Sequence, residues 1–339
     1  MFRLAKISDK ERIINFIMTH WDRDHVYVRY PRLFEHDFIR NSDLTMGLME
    51  IDEEIKGIFG YFFYNRKARP DIGGMLWKVT DDANRIAPLP GINLRKFVLD
   101  NVKHRFFGAP GAGLQTKPIY ELLGCKWHEL RHYVGTLSHQ FLPKKISFEG
   151  GILEKNKKKY KTSELKTLKQ LKTVNSKIFL EQTPEKDFEY LNWRYSTHPY
   201  NNYKIWLVNY DHCESLVITR FQKIYNKLIM RIVDYIGSPE LAASSIYSVF
   251  LSFPKNLSLA YVDFVASGFD NKQFLKHGFA EIDFNNPINY APNLFEPLVE
   301  KSVQVFANSY HGYKHTVMVR GNGDQDRPNL LQISTNSRL

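Results

Sequence analysis

Cysteine is scarce. The 339 residues hold two, Cys125 and Cys213, and neither has Cys-x-x-Cys or Cys/His spacing. This excludes a disulfide framework and predicts a reduced, cytoplasmic chain without structural zinc. Long apolar runs are absent as well. No window reaches the roughly 18 uninterrupted apolar residues of a membrane span. The opening MFRLAKISDKER places charges where a signal peptide needs an apolar stretch. The 12 histidines are scattered, so no metal is expected. There is no P-loop, no Gly-x-Ser-x-Gly and no defensible Ser/His/Asp order. Core-forming residues are plentiful: 43% are apolar and 14% aromatic, which excludes disorder. The length fits two domains of about 150 residues.

The net charge of +11 is unevenly spread. Residues 155–177 carry nine lysines against Glu164, so +8 of the excess lies in one polar stretch and the remainder is nearly balanced. A solvated linker accounts for this pattern, and a nucleic-acid partner is not expected. A surface for tRNA, a membrane or an anionic substrate is the alternative.

Two short segments match. Ile119-Tyr120-Glu121-Leu122-Leu123-Gly124-Cys125 and Gln273-Phe274-Leu275-Lys276-His277-Gly278-Phe279 each set an aromatic residue four positions before a glycine. Only Tyr120 can pass a proton to a reacting group. The surroundings match too. In the first half, strands are expected at Phe2–Lys6, Leu44–Ile51, Ile55–Tyr64, Gly74–Thr80, Phe106–Ala109 and Trp127–Gly135, with the turn at Asp52-Glu53-Glu54. Helices are expected from Asp9, as cap, to Trp21, from Ile92 to His104, and around Tyr120. In the second half, strands are expected at Tyr203–Val208, Ser215–Phe221, Leu228–Ile236, Leu257–Val265 and Lys314–Arg320. Phe188–Tyr195, Glu240–Phe250 and the Phe274 segment read as helices. Both halves run strand, Gly/Pro break, helix, strand, helix, strand. This predicts an α/β (α+β, mixed-sheet) fold in two copies: residues 1–150, a linker at 151–177, and 178–339.

This order resembles the GNAT acyltransferase superfamily in tandem. In that family the fourth and fifth strands splay apart to admit acyl-coenzyme A, and its pyrophosphate rests on the helix that follows the fourth strand. The resemblance places the coenzyme on Leu89, Pro90, Gly91, Ile92, Asn93 and Leu94, where a glycine and a helix N-terminus offer free N–H groups. Arg95 and Lys96 could add charge there. The family's Arg/Gln-x-x-Gly-x-Gly/Ala pattern is kept only in part, with one glycine and two prolines. Read alone, the segment is a turn before a helix. A backbone N–H around Trp77, Lys78 and Val79 would polarise the thioester carbonyl. Tyr120 would protonate the departing thiolate; a buried tyrosine packing a helix end is the plain alternative.

Four further segments resemble GNAT-like proteins of bacterial surface-polysaccharide synthesis: Trp21-Asp22-Arg23-Asp24-His25, Arg194–Tyr200, Arg231–Gly237 and Gly323–Asn329. The resemblance implies transfer of an acetyl group from acetyl-coenzyme A to an amino sugar, attached to a nucleotide. His25, ranked above His20, could accept the ammonium proton. Asp22, Asp24, Glu35 and Asp37 stay open as alternatives. Arg29, His198, Tyr200, Asp324, Asp326 and Arg327 are candidates to hold the substrate, through aromatic faces, carboxylates and a guanidinium. A packed aromatic loop and a salt-bridged turn that locks the tail are the plain readings of the last five. Two rival functions remain: an aminoacyl-tRNA-dependent aminoacyltransferase of the peptidoglycan type, and a binding module without catalysis.

Overall fold

The computed structural model describes all residues except 41, 155–159, 211, 225, 254–258, 287–289, 293–302, 311–312, 314, 324–325 and 329–339. In the first half, β1 (Phe2–Leu4) precedes α1 (Lys10–His20), and two short helices follow, α2 (Val26–Arg29) and α3 (Pro31–Phe38). Asp9 does not cap α1 through its side chain. Its carboxylate accepts from the Lys6 N–H and holds Arg3 at 2.6 Å, locking the 3-10 turn ahead of the helix. Ile13, Phe16 and Ile17 are the face of α1 that enters the core.

β2 (Met46–Ile51) and β3 (Glu54–Phe63) form the expected hairpin. Its turn residues, Asp52 and Glu53, both have positive φ, as the two-residue turn between twisted strands demands. β4 (Asp71–Val79), α4 (Pro90–Asn101), β5 (Phe106–Ala112), α5 (Lys117–Leu122) and β6 (Cys125–Gly135) complete the run. The second half adds β7 (Lys161–Leu165), β8 (Tyr203–Asn209), β9 (Glu214–Ile224), β10 (Lys227–Ile236), α6 (Ala242–Ser252), β11 (Leu259–Ser267), α7 (Asn271–Lys276) and β12 (Val305–Tyr310).

All these strands join one mixed sheet in the order β1-β2-β3-β4-β5-β12-β6-β11-β10-β9-β8-β7. Three strand positions depart from the sequence reading. β12 was not foreseen, and it lies antiparallel between β5 and β6. The tail of the chain therefore completes the sheet of the first half, and a division at residue 150 cuts through it. The lysine-rich stretch, expected as a linker, contributes a strand: β7 pairs with β8 and forms the edge of the sheet. At Lys314–Arg320 the described strand is confined to Met318–Val319.

The matching helix ends are real. Gly124 and Gly278 both take the left-handed conformation that closes a helix, with φ of 71° and 89°. A side chain on Gly278 would meet the Ile152 carbonyl at 2.6 Å, whereas the same position at Gly124 is open. Phe274 stacks on Tyr133 with centroids 4.0 Å apart and is sealed in the core of the second half.

Candidate functional site

The parallel strands β4 and β5 pair only over Asp71–Gly73 against Phe106–Gly108. Beyond Gly73 they part. β4 also bulges where its register with β3 shifts between Phe59 and Gly60; Phe59 faces Trp77 and Gly60 faces Met75, leaving Leu76 as the extra residue with φ of 50°. A bulge of this kind frees backbone groups from the ladder. The wedge between the strands is a cavity of about 240 Å³, walled by Met75, Leu76, Trp77, Phe107, Tyr120 and Asn308.

Tyr120 reaches this wall from α5 and lies between Trp77 and Trp127, each 6.1 Å away by ring centroid. Burial pushes its phenol up to about 12, against the opposing pull of the Arg95 charge and a hydrogen bond with Asn308. The phenol is thus protonated at neutral pH and able to donate. Arg95 corrects an expectation. It does not add charge at the start of α4 but turns inward, 1% exposed, and its Nη2 donates to Cys125 Sγ at 3.2 Å. Lys96 points outward to Asp100.

The start of α4 adjoins the wedge through Trp77: a side chain on Gly91 would sit 3.3 Å from the Trp77 ring and from Val79. Leu89 precedes the helix in the left-handed conformation, 63% exposed, with no side chain capping the first turn. Asn93 donates to the Pro88 carbonyl, and Leu94 is core. Lys78 is half-buried on β4.

At the mouth, Trp21 and Arg327 line the same cavity. Arg327 comes from the tail, and its Nη1 lies 3.3 Å from His25 Nε2. His25 Nδ1 in turn accepts from the Tyr27 N–H at 3.3 Å. A neutral imidazole has one lone pair, and here two donors compete for it.

The remaining candidates are elsewhere. Arg29 is exposed and pairs with Asp24 at 2.7 Å. His198 and Tyr200 line a separate hollow of the second half, beside Thr167 and Tyr203. His198 accepts from the N–H groups of Tyr200 and Asn201, and burial pulls its ring well below the usual histidine range, so it is neutral. Asp326 is fully buried: Arg220 holds one oxygen at 2.5 Å and the Tyr203 hydroxyl the other at 2.8 Å. Its carboxylate locks the tail and has no oxygen to spare for a substrate. Asp324 lies outside the described residues.

One cluster was not legible as a motif: the ligand atoms of His36, Asp37 and His198 come within 4.8 Å of one another. The ligand atoms of His36 and Asp37 are already committed, as is His198 Nδ1. His36 binds Asp37 at 2.9 Å and the Trp193 carbonyl at 2.8 Å, and the Tyr27 hydroxyl takes the second Asp37 oxygen. The group is an internal hydrogen-bond relay between the halves rather than an open chelate. Burial opposes charge on Asp37, but the His36 bond and charge outweigh it and hold the carboxyl at about 2.

Comparison with known proteins bears on the fold. The structure is similar to a GCN5-related N-acetyltransferase from Anabaena variabilis, with a TM-score of 0.52 at 10% identity over 91% of this chain and 72% of that one. The fold is that of the GCN5-related N-acetyltransferases. An Enterococcus faecalis protein described as a probable N-acyltransferase gives a TM-score of 0.53 at 11% identity, over 91% of this chain and 72% of that one. A candidate acetyltransferase of Pyrococcus horikoshii gives 0.51 at 12%, over 93% and 90%. No protein-family model matches the sequence, and no curated protein does. No described helix is long and apolar enough to cross a membrane.

Proposed function

We propose that the chain is an N-acyltransferase that moves an acetyl group from acetyl-coenzyme A to the amino group of a sugar, carried on a nucleotide. The observation that supports this best is the open wedge between β4 and β5, with the Leu76 bulge on one wall and the Tyr120 phenol on the other. The donor would lie along the wedge with its pyrophosphate toward Gly91 at the start of α4. The acceptor nitrogen attacks the thioester carbonyl, whose oxygen takes the negative charge beside the N–H groups freed at the bulge. Collapse breaks the carbon–sulfur bond. Tyr120 gives its proton to the leaving sulfur and becomes a phenolate, which regains a proton through water from the ammonium formed on the product. His25 would take part as base only after the acceptor displaces Arg327 from its ring. The second half supplies scaffold, and its tail supplies Arg327.

The test couples binding to turnover. Acetyl-coenzyme A should raise the unfolding temperature, because a ligand that binds only the folded state stabilises it. Free thiol should then appear with one or more members of a panel of nucleotide-linked amino sugars. Stabilisation by tRNA in place of the coenzyme, or by neither, would overturn the reading.

A further inference from the structure

Arg95 is a buried cation without a carboxylate. Its guanidinium lies 4.9 Å from the centroid of Phe107, 5.0 Å from that of Tyr310 and 5.6 Å from that of Tyr120. Nη2 meets the Cys125 sulfur, and Nε has no hydrogen-bond partner. No described aspartate or glutamate pairs with it. An isolated buried charge is costly to maintain, and replacing it by an apolar side chain would remove that cost. Asn308 shows a second imbalance: it is fully buried, and its Oδ1 has no partner. Both side chains line the wedge next to Tyr120. They arrive from different parts of the chain, Arg95 from α4 and Asn308 from the returning strand β12.

We propose that Arg95 and Asn308 are positioning residues for the leaving-group step: the guanidinium supports the negative charge that passes from sulfur to the Tyr120 oxygen, and Asn308 fixes the rotation of that hydroxyl. The chemistry rests on the acyl-transfer reading above; the effect on Tyr120 does not. As the carbon–sulfur bond breaks, the electron pair goes to sulfur, the Tyr120 proton follows it, and the phenolate that is left has its ring centroid 5.6 Å from a fixed positive charge. Arg95 and Tyr120 are both buried, so the charge acts at lower screening than in bulk water. Among the described residues, the other titratable or charged groups around Tyr120 are Cys125 on β6, Tyr310 beyond Arg95, Arg327 at the mouth, and Lys117 with Glu121 on its own helix. Of the cations among them, Lys117 is paired with Glu121 and Arg327 stands at the mouth beside His25.

The experiment places 3-fluorotyrosine at position 120 and follows its titration by fluorine NMR in the full-length protein, with Arg95→Met, Arg95→Lys and Asn308→Leu compared. Arg95→Met should raise the Tyr120 titration midpoint by about one unit or more, and Arg95→Lys should restore most of it. Turnover with acetyl-coenzyme A should fall about tenfold or more in Arg95→Met. An aryl thioester, whose thiol leaves as a stable anion, should recover most of that loss. Asn308→Leu should broaden or split the fluorine signal. If Arg95→Met does not fold, Arg95→Gln carries the same test. An unmoved Tyr120 midpoint in a folded Arg95→Met or Arg95→Gln protein overturns the proposal. So does an equal loss with both thioesters. A shifted midpoint with no turnover in any variant or in the parent would sink the acyl-transfer reading and leave the electrostatic coupling standing.

Discussion

Beside the parallel strands β4 and β5 there is a cavity; beside the parallel strands β10 and β11 there is a piece of the chain itself. β10 and β11 pair over Leu228–Ile232 and Leu259–Phe264 and then part, as β4 and β5 do. Into this second wedge the tail inserts. Met318 and Val319 pair with Ser267 and Ala266, and the Arg320 N–H donates to the Val265 carbonyl. Gly321 lies so close to β10 that a side chain there would be 2.1 Å from the Val233 carbonyl. Parted strands expose edge groups that require partners. The second wedge finds them within the protein, whereas the first is left as an open cavity. The aromatic residue after each wedge agrees: Tyr120 faces a cavity, and Phe274 faces other side chains.

The sharpest way to break this contrast is to exchange the two aromatics. Tyr120→Phe should lower turnover by about a hundredfold or more while keeping donor-induced stabilisation, read by thiol release and thermal unfolding. Full turnover at all pH values would remove the acid. The converse, Phe274→Tyr, should confer nothing, and it should cost stability because its hydroxyl would be buried against Tyr133 and Phe264 without a partner.

Next comes the lock on the tail. Asp326→Ala leaves Arg220 buried without its carboxylate, and a destabilisation of about 3–5 kcal/mol is expected from denaturant melts. Gly321→Ala should be milder, about 1–3 kcal/mol, since the tail can retreat from β10. If both variants keep the acetyl-coenzyme A shift, the two wedges are independent; loss of that shift would show that the filled wedge supports the open one.

The smallest effect is acid sensitivity at the seam. The folded-state value of Asp37 is about 2, below the ordinary carboxylate value. Its contribution is therefore complete above the ordinary value and is lost as pH falls toward 2. Asp37→Asn should flatten that step in a plot of urea midpoint against pH.

Local rules made much of this legible. The Asp52-Glu53 turn, the positions of most strands and the twin glycine-ended helices follow from short-range chemistry. Tyr120 was legible as an aromatic residue four positions before a helix-ending glycine; that it faces a cavity while Phe274 is packed in a core was not. Long-range pairing was not legible. β12 is a short run, Val-Phe-Ala-Asn-Ser-Tyr, without the alternation of a half-buried strand, and nothing in it says that it belongs between β5 and β6. Arg95 followed a phosphate-like helix start and was assigned to it; its inward turn depends on Phe107, Tyr310 and Cys125, which only the fold gathers. Asp326 was legible as part of a charged turn, but Arg220 and Tyr203, which consume its charge, lie more than a hundred residues away.

The return of β12 also sets an order of synthesis. A ribosome finishes β5, α5 and β6 early, yet it must add every residue from Gly135 to Val305 before the strand between β5 and β6 exists. Until then those two strands have no neighbour on their facing edges, and Asn308 is not beside Tyr120. The nascent first half thus carries two open strand edges, the kind of surface that pairs with other chains, until the tail emerges.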